Sequence, residues 1–304
     1  MEFKHISVLF SETMEALNIR DNCLYADGTL GGGGHSEGIL SYNPTCSLIG
    51  IDRDRDALSA AGERLQRFSG RVRFEHGNYC EIKKILGDEM LDGAVLDLGV
   101  SSYQLDNAER GFSYMHDAPL DMRMDQSAEL SADYVVNNYT EDELTRIFYE
   151  YGEEKWSKRI AQFIVAARPV KTTGELSELI KAAIPKAARE QGGHPAKRVF
   201  QAIRIEVNSE LSLLRQSLMD FVDVLAPGGR LAVITFHSLE DRITKQTFSE
   251  LAKGCICPKE FPVCMCNHKP TVKIITRKPI LPSEAEIREN SRAKSAKLRV
   301  VEKI

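Results

Sequence analysis

Long apolar runs are missing from this 304-residue chain. The longest, such as Gly93–Leu98 and Leu231–Phe236, fall far short of the ~20 residues that a membrane-spanning helix needs. No basic segment followed by an apolar stretch opens the N-terminus MEFKHISVLFSETMEAL, so no signal peptide is expected. Internal repeats and low-complexity tracts are also lacking, which argues against a solenoid or a disordered spacer. There is no basic excess: 40 Lys and Arg stand against 44 Asp and Glu, a net charge of −4 that disfavours a general nucleic-acid binder. The seven cysteines are odd in number and, without a secretion signal, argue against a disulfide framework. A reducing cytoplasm and no membrane contact are the expectations. What remains is an ordinary globular composition, 42% hydrophobic and 28% charged, with length for one large domain or two modest ones.

The average charge hides an asymmetry. Asp117 to Glu154 carries eleven acids and two bases, and Lys155 to Arg204 carries eleven bases and three acids. The tail from Lys269 to Ile304 has ten bases and four acids. Two basic segments in an acidic protein are either an anionic contact surface or a set of solvated helix faces, and charge alone leaves both open.

The first third alternates strand and helix patterns. Leu24–Ala26, Leu48–Ile51, Val72–Glu75 and Ala94–Leu98 read as strands, and Ala57–Phe68 has helical spacing. That alternation predicts a parallel sheet covered on both faces, a Rossmann-like α/β domain. From about Asn107 to Arg204 the chain is charged and rich in helix formers. Thr140 with Glu143 marks a capped helix start, and Lys158–Ala167 and Leu176–Ile184 read as two more helices, the second capped by Thr172 or Thr173. A long helical segment over Ile205–Leu225, a turn at Ala226–Gly229 and strands at Arg230–Phe236, Val272–Thr276 and Leu298–Val301 complete the pattern. The expected organisation is a discontinuous α/β domain, 1–106 and 205–304, with a helical insertion over 107–204.

The segment Asp27-Gly28-Thr29-Leu30-Gly31-Gly32-Gly33-Gly34-His35 leaves a strand and opens a helix. Glycines there let the backbone turn sharply and approach a ligand. Asp52, at the end of the next strand, is placed to accept hydrogen bonds from ribose hydroxyls. The run matches only half of the G-x-G-x-x-G dinucleotide pattern, and Asp27 beside it suits a cation better than a diphosphate. An adenosyl sulfonium, S-adenosylmethionine, fits these features. At the end of the fourth strand, Asp97-Leu98-Gly99-Val100-Ser101-Ser102 faces the same edge. A carboxylate there could hold an acceptor amine and take its proton, or could instead bind loop amides. His237 and Arg242, after the fifth strand, could face the acceptor or its phosphates; His237 could equally be a structural hydrogen-bonding residue. Cys255-x-Cys257 and Cys264-x-Cys266 make a paired thiol arrangement, but zinc sites favour C-x2–4-C spacing. A zinc site and a reduced-thiol loop both stay open, and no metal ligand is assigned.

These motifs, in this order, resemble the bacterial small-subunit ribosomal RNA (cytosine-N4)-methyltransferase, or MraW, family. The resemblance runs from His5-Ile6-Ser7-Val8-Leu9 through the glycine loop, Ile51-Asp52-Arg53-Asp54 and Asp97 to Asp106. It continues in Arg110-Gly111-Phe112-Ser113, Pro119 to Asp125, Tyr151-Gly152-Glu153-Glu154, His194-Pro195-Ala196, Phe200 to Arg204 and Phe236 to Arg242. It implies methylation at the exocyclic N4 of a cytidine in the decoding centre of 16S rRNA, with S-adenosylmethionine as cofactor. It implies cofactor contacts at Gly33, Gly34, His35, Asp52, Tyr79, Asp97 and Gln104. Tyr79, after the third strand, has the ring to stack on adenine. Tyr103 stands where some members carry proline.

Asp97 and His237 are the expected catalytic residues. Arg123, Lys197, Arg198, Arg204 and Arg242 are the expected RNA contacts, with the helical insertion clamping phosphates of the splayed strand. The expected partner is 16S rRNA or the small ribosomal subunit; monomer and dimer stay open. A DNA amino-methyltransferase is the alternative enzyme, although Asp97-Leu98-Gly99-Val100 departs from the D/N/S-P-P-Y/F/W pattern of that class. A non-catalytic ribosome-assembly factor that binds the cofactor, and more distantly a nicotinamide dehydrogenase, are the others.

Overall fold

The computed structural model describes residues 7–189, 193–255, 257, 261, 263, 265, 266 and 268–304. His5, Ile6 and Cys264, named in the sequence analysis, lie outside the described residues. The chain forms two compact units, 1–99 with 211–304, and 100–210.

In chain order, the first unit begins with α1 (Phe10–Leu17), β1 (Leu24–Asp27), α2 (Gly34–Tyr42), β2 (Ser47–Asp52), α3 (Arg55–Arg64), β3 (Val72–His76), α4 (Ile82–Leu86) and β4 (Leu91–Asp97). The second unit is helical: α5 (Ser102–Asp106), α6 (Ala132–Asn138), α7 (Glu141–Glu150), α8 (Ser157–Ala167), α9 (Thr173–Ala183), α10 (Lys186–Arg189) and α11 (Lys197–Asn208). The first unit resumes with α12 (Leu214–Val224), β5 (Leu225–Thr235), α13 (Ser238–Leu251), β6 (Val272–Ile274), α14 (Glu284–Glu289) and β7 (Lys297–Lys303).

The seven strands make one sheet in the order β3-β2-β1-β4-β5-β7-β6. Pairing is parallel from β3 to β5, while β7 runs antiparallel to both β5 and β6. Side chains alternate across the sheet as the strand period of two requires. Val95, Ala232 and Ile234 enter one core with Leu17, Ile39 and Leu40 from the helices of that face and Leu65 just after α3. Ala94, Leu96, Leu231 and Val233 enter the other, with Ile82, Leu218 and Phe221. Burial on both faces explains why the central strands are continuous apolar runs.

Three local readings change. The segment over Ile205–Leu225 is not one helix: Ser209 has φ 52° and ends α11, and α12 begins at Leu214. The break is held by Glu210, which takes both arms of Arg204 at 2.9 Å. The turn at Ala226–Gly229 lies inside β5 as an irregularity, since Leu91 pairs with Leu225 but Gly93 pairs with Arg230. The helical unit begins at Val100 rather than 107 and ends at Glu210 rather than 204, because Val100, Leu105 and Val207 all pack into its core.

That core is built from one face of each helix. Leu144, Ile147 and Phe148 of α7 meet Ile160 and Ile164 of α8, Leu176 and Ile180 of α9, and Val199 and Ile203 of α11. Thr140 and Glu143 form a reciprocal capping box on α7, and Thr172 caps α9.

Candidate active site

The strand order reverses between β1 and β4, since β1 has β2 on one side and β4 on the other. At such a switch point the loops leaving the two strands diverge and open a crevice at their carboxyl ends. The glycine loop follows β1, and Asp97 ends β4.

The loop is tied to its neighbours by backbone and carboxylate contacts. The Gly28 amide donates to the Val95 carbonyl and the Leu30 amide to the Ile51 carbonyl, both at 3.0 Å. Asp27 is buried and accepts from the Thr29 amide at 3.2 Å and from the Ser36 hydroxyl at 2.7 Å. Burial, with Asp52 nearby, pushes the Asp27 carboxyl up to about 6, although the Ser36 and Thr29 donors oppose the shift. Gly33 sits at φ 74° as the residue before α2, a left-handed conformation in which a Cβ is strained. Around Gly32 an added Cβ would meet nothing within 4 Å, so the loop leaves open space there.

Asp52 accepts from the Gly31 amide at 2.8 Å and from the Asp54 amide at 2.9 Å. Each oxygen of a carboxylate keeps a second lone pair, so both can still accept a hydroxyl. Burial raises the Asp52 carboxyl. Tyr79 is buried beside the loop, its Cβ 3.1 Å from where a Cβ on Gly28 would stand.

Asp97 is the most perturbed group of the site. Its amide donates to Thr29 Oγ1 at 2.6 Å, which fixes the strand end against the glycine loop. Its Oδ1 is buried with no hydrogen-bond partner. Burial first, and then the charges of Asp27 and Glu240, raise the carboxyl well above its ordinary value. His35 lies opposite, with Nδ1 3.7 Å from Asp97 Oδ2 and Nε2 3.1 Å from the Val8 carbonyl. Because only an Nε2 proton can satisfy that carbonyl, Nδ1 of the neutral ring faces Asp97 as an acceptor.

An orphaned buried carboxyl oxygen, an open glycine turn, an acid with spare lone pairs and an aromatic ring thus share one edge of the sheet. The donor set fits an adenosyl sulfonium: it holds acids for a cation and hydroxyl acceptors for a ribose.

The other expected residues fall differently. Gln104 lies in the helical unit, where it closes a capping box with Ser101 at the start of α5. His237 is the N-cap of α13: its Nδ1 accepts from the Glu240 amide at 3.4 Å, and its Nε2 lies 3.0 Å from Glu240 Oε1. Arg123 is spent on Asp121 at 2.7 and 3.0 Å and on the Ala128 carbonyl at 2.8 Å. Arg204 is paired with Glu210. Lys197 and Arg198 are exposed in the first turn of α11, which carries no acid. Cations there oppose the helix dipole, which favours an anion instead. Arg242 is exposed on α13.

Sequence reasoning missed Thr29 and Glu240. Thr29 was visible inside the glycine motif, but its bond to a strand 68 residues away was not. Glu240 stands three residues after His237, the spacing of a capping box, but histidine is an unusual cap.

Such a site on a parallel sheet with a β1/β4 switch point defines a Rossmann-like nucleoside-cofactor enzyme. The chain belongs to the MraW methylase family, whose profile matches residues 2–304. It is 57% identical to ribosomal RNA small subunit methyltransferase H of Clostridioides difficile (strain 630), with 100% of each chain covered. It is 55% identical to the protein of the same name from Finegoldia magna, again with 100% of each chain covered. Among solved structures, it is similar to an rRNA methylase from Streptococcus thermophilus, with a TM-score of 0.46, 10% identity and 99% of each chain covered.

Proposed function

We propose that this chain uses S-adenosylmethionine to methylate the exocyclic N4 of a cytidine in the decoding centre of 16S rRNA. The observation that carries the reading is Asp97, whose Oδ1 is buried without a partner at the switch point. Its support is the family to which the chain belongs and the relatives named for small-subunit rRNA methylation.

The loop from Gly31 to Gly34 and Asp52 would hold the adenosine and its ribose hydroxyls, and Tyr79 would pack on the base. When bound, S-adenosylmethionine supplies an electrophilic methyl group on a cationic sulfur. That charge favours the ionised form of Asp97. The exocyclic amine of cytosine is a poor nucleophile because its lone pair is delocalised into the ring. The carboxylate of Asp97 accepts an N4–H bond, localises that lone pair on nitrogen and takes the proton that N4 must lose. A carboxyl raised by burial has the higher proton affinity this step needs. Alignment of the amine with the methyl carbon supplies the rest of the rate.

In the helical unit, Lys197 and Arg198 are assigned to RNA phosphates, together with Arg242 of the sheet unit. Arg123 and Arg204 belong to the same assignment, but with their charges partly offset by Asp121 and Glu210. His237 acts on the acceptor through Glu240, by holding the start of α13. Gln104 is assigned to the cofactor on the family resemblance alone. The reaction is assigned to the cytoplasm; no described helix is long and apolar enough to cross a membrane.

The test is mass mapping of methylcytidine in 16S rRNA from cells lacking this protein. The methyl mark should disappear, return with the wild-type chain and stay lost with Asp97→Asn. An unchanged mark in the deleted strain overturns the proposal.

A further inference from the structure

The long segment between α13 and β6 carries chemistry that methyl transfer does not use. Its ends are joined, since the Thr271 amide donates to the Leu251 carbonyl at 2.9 Å. Connections longer than about 12–15 residues are uncommon in compact domains and need something to hold them. Among its described residues, Phe261, Val263 and Met265 are 52%, 68% and 73% exposed.

Three thiols converge there instead. The Sγ atoms of Cys255, Cys257 and Cys266 lie within 4.8 Å of one another. Cys255 and Cys266 are 3.8 Å apart, sulfur to sulfur. A disulfide would bring them to about 2.05 Å. Thiolates at about 2.3 Å from a tetrahedral zinc ion stand about 3.8 Å from each other. The Met265 amide donates to Cys257 Sγ at 3.2 Å, the kind of backbone bond that orients a metal-ligating sulfur. Cys23 and Cys46, by contrast, are buried in the sheet unit and turn their thiols to the carbonyls of Asp21 and Arg20.

We propose that Cys255, Cys257 and Cys266 bind one Zn2+ ion as thiolates, and that this ion fixes the α13–β6 segment. Binding exchanges the three thiol protons for the metal and needs no oxidant or reductant. The soft sulfur set favours zinc over magnesium or calcium. The short C-x-C spacing that disfavoured zinc in the sequence is offset by the fold, which brings Cys266 back onto the Cys255-x-Cys257 turn.

The experiment is elemental analysis of the full-length protein purified without chelator, followed by Co2+ substitution. About one zinc per chain is expected, with cobalt giving the sulfur-to-metal charge-transfer and intense ligand-field bands of a tetrahedral thiolate site. Cys255→Ser/Cys266→Ser should lose both signals while keeping its circular dichroism and its S-adenosylmethionine binding. Cys80→Ser, a thiol elsewhere in the sheet unit, should keep the metal. Fully reduced protein that holds no zinc and takes up none on titration overturns the proposal. So does a metal signal that survives in the double variant.

Discussion

His35 Nδ1 faces Asp97 Oδ2 across 3.7 Å, with the opposite ring nitrogen tied to the Val8 carbonyl at 3.1 Å. One residue opens α2 and the other closes β4, so the pair spans the two elements that frame the switch point. The ring cannot turn away without leaving a buried carbonyl unmet, and the carboxyl is held toward its protonated form by burial and by Asp27 and Glu240. Burial and the two neighbouring acids thus raise the proton affinity of Asp97 at a point where the ring of His35 faces it.

From this follows a proton release. Binding of the cationic S-adenosylmethionine should lower the raised Asp97 carboxyl and so be coupled to release of a proton. Calorimetry in buffers of different ionisation enthalpy should show an apparent binding enthalpy that varies with the buffer. The slope should shrink in Asp97→Asn. A wild-type enthalpy independent of buffer speaks against a protonated Asp97.

On the role proposed for Asp97, Asp97→Asn should lower methyl transfer about 10²-fold or more, because the proposed proton acceptor is gone. The same substitution should not destabilise the fold, since it replaces a carboxyl that the site already prefers neutral. Its melting temperature at pH 8 should equal or exceed that of the wild type. A large loss of stability would mean that the carboxylate is a structural ion.

Asp27 gives a pH dependence with a defined sign. Its folded value, about 6, lies above the ordinary 3.8, so its protonated form stabilises the fold. That contribution is complete below about pH 4 and is lost as the pH rises through about 6. Asp27→Asn should remove this decline from the unfolding free energy measured between pH 4 and pH 7. An identical profile in the two proteins would contradict the raised value.

His237 separates a cap from a catalyst. As an N-cap it should cost roughly 0.5–2 kcal/mol of stability when changed to alanine, and much less when changed to asparagine. If positioning is its part, His237→Asn should keep most of the methyl-transfer rate with an unchanged pH profile. A rate loss in His237→Asn with full stability would make the imidazole itself a participant.

Charge reversal at Lys197 and Arg198 should weaken RNA binding about tenfold or more at low salt and flatten its salt dependence by roughly one log–log unit per lost phosphate contact. Cofactor affinity should not change, because both side chains are exposed and neither is among the residues assigned to the cofactor. Filter binding at several salt concentrations measures it.

The backbone frame of the candidate cofactor site was legible because its signals are local. A strand, a glycine turn, a helix start and an acid closing the next strand occupy 24 to 52, and backbone geometry over that span follows from residue types. The same locality made the caps at Thr140 and Thr172 readable. The helix break at Ser209 was not, because apolar spacing continues on both sides of it while a tertiary ion pair, Arg204 with Glu210, folds the chain between.

By itself, then, the order of residues determined the alternating elements, the glycine turn and the family signature, all set by steric preference and periodicity along the chain. Tertiary structure alone decided which acids share a buried volume, that Thr29 clamps Asp97, that His237 caps a helix and that three thiols meet. Desolvation and Coulomb forces act through space, and positions as distant in sequence as Asp27 and Glu240 both act on Asp97 only after the sheet has formed.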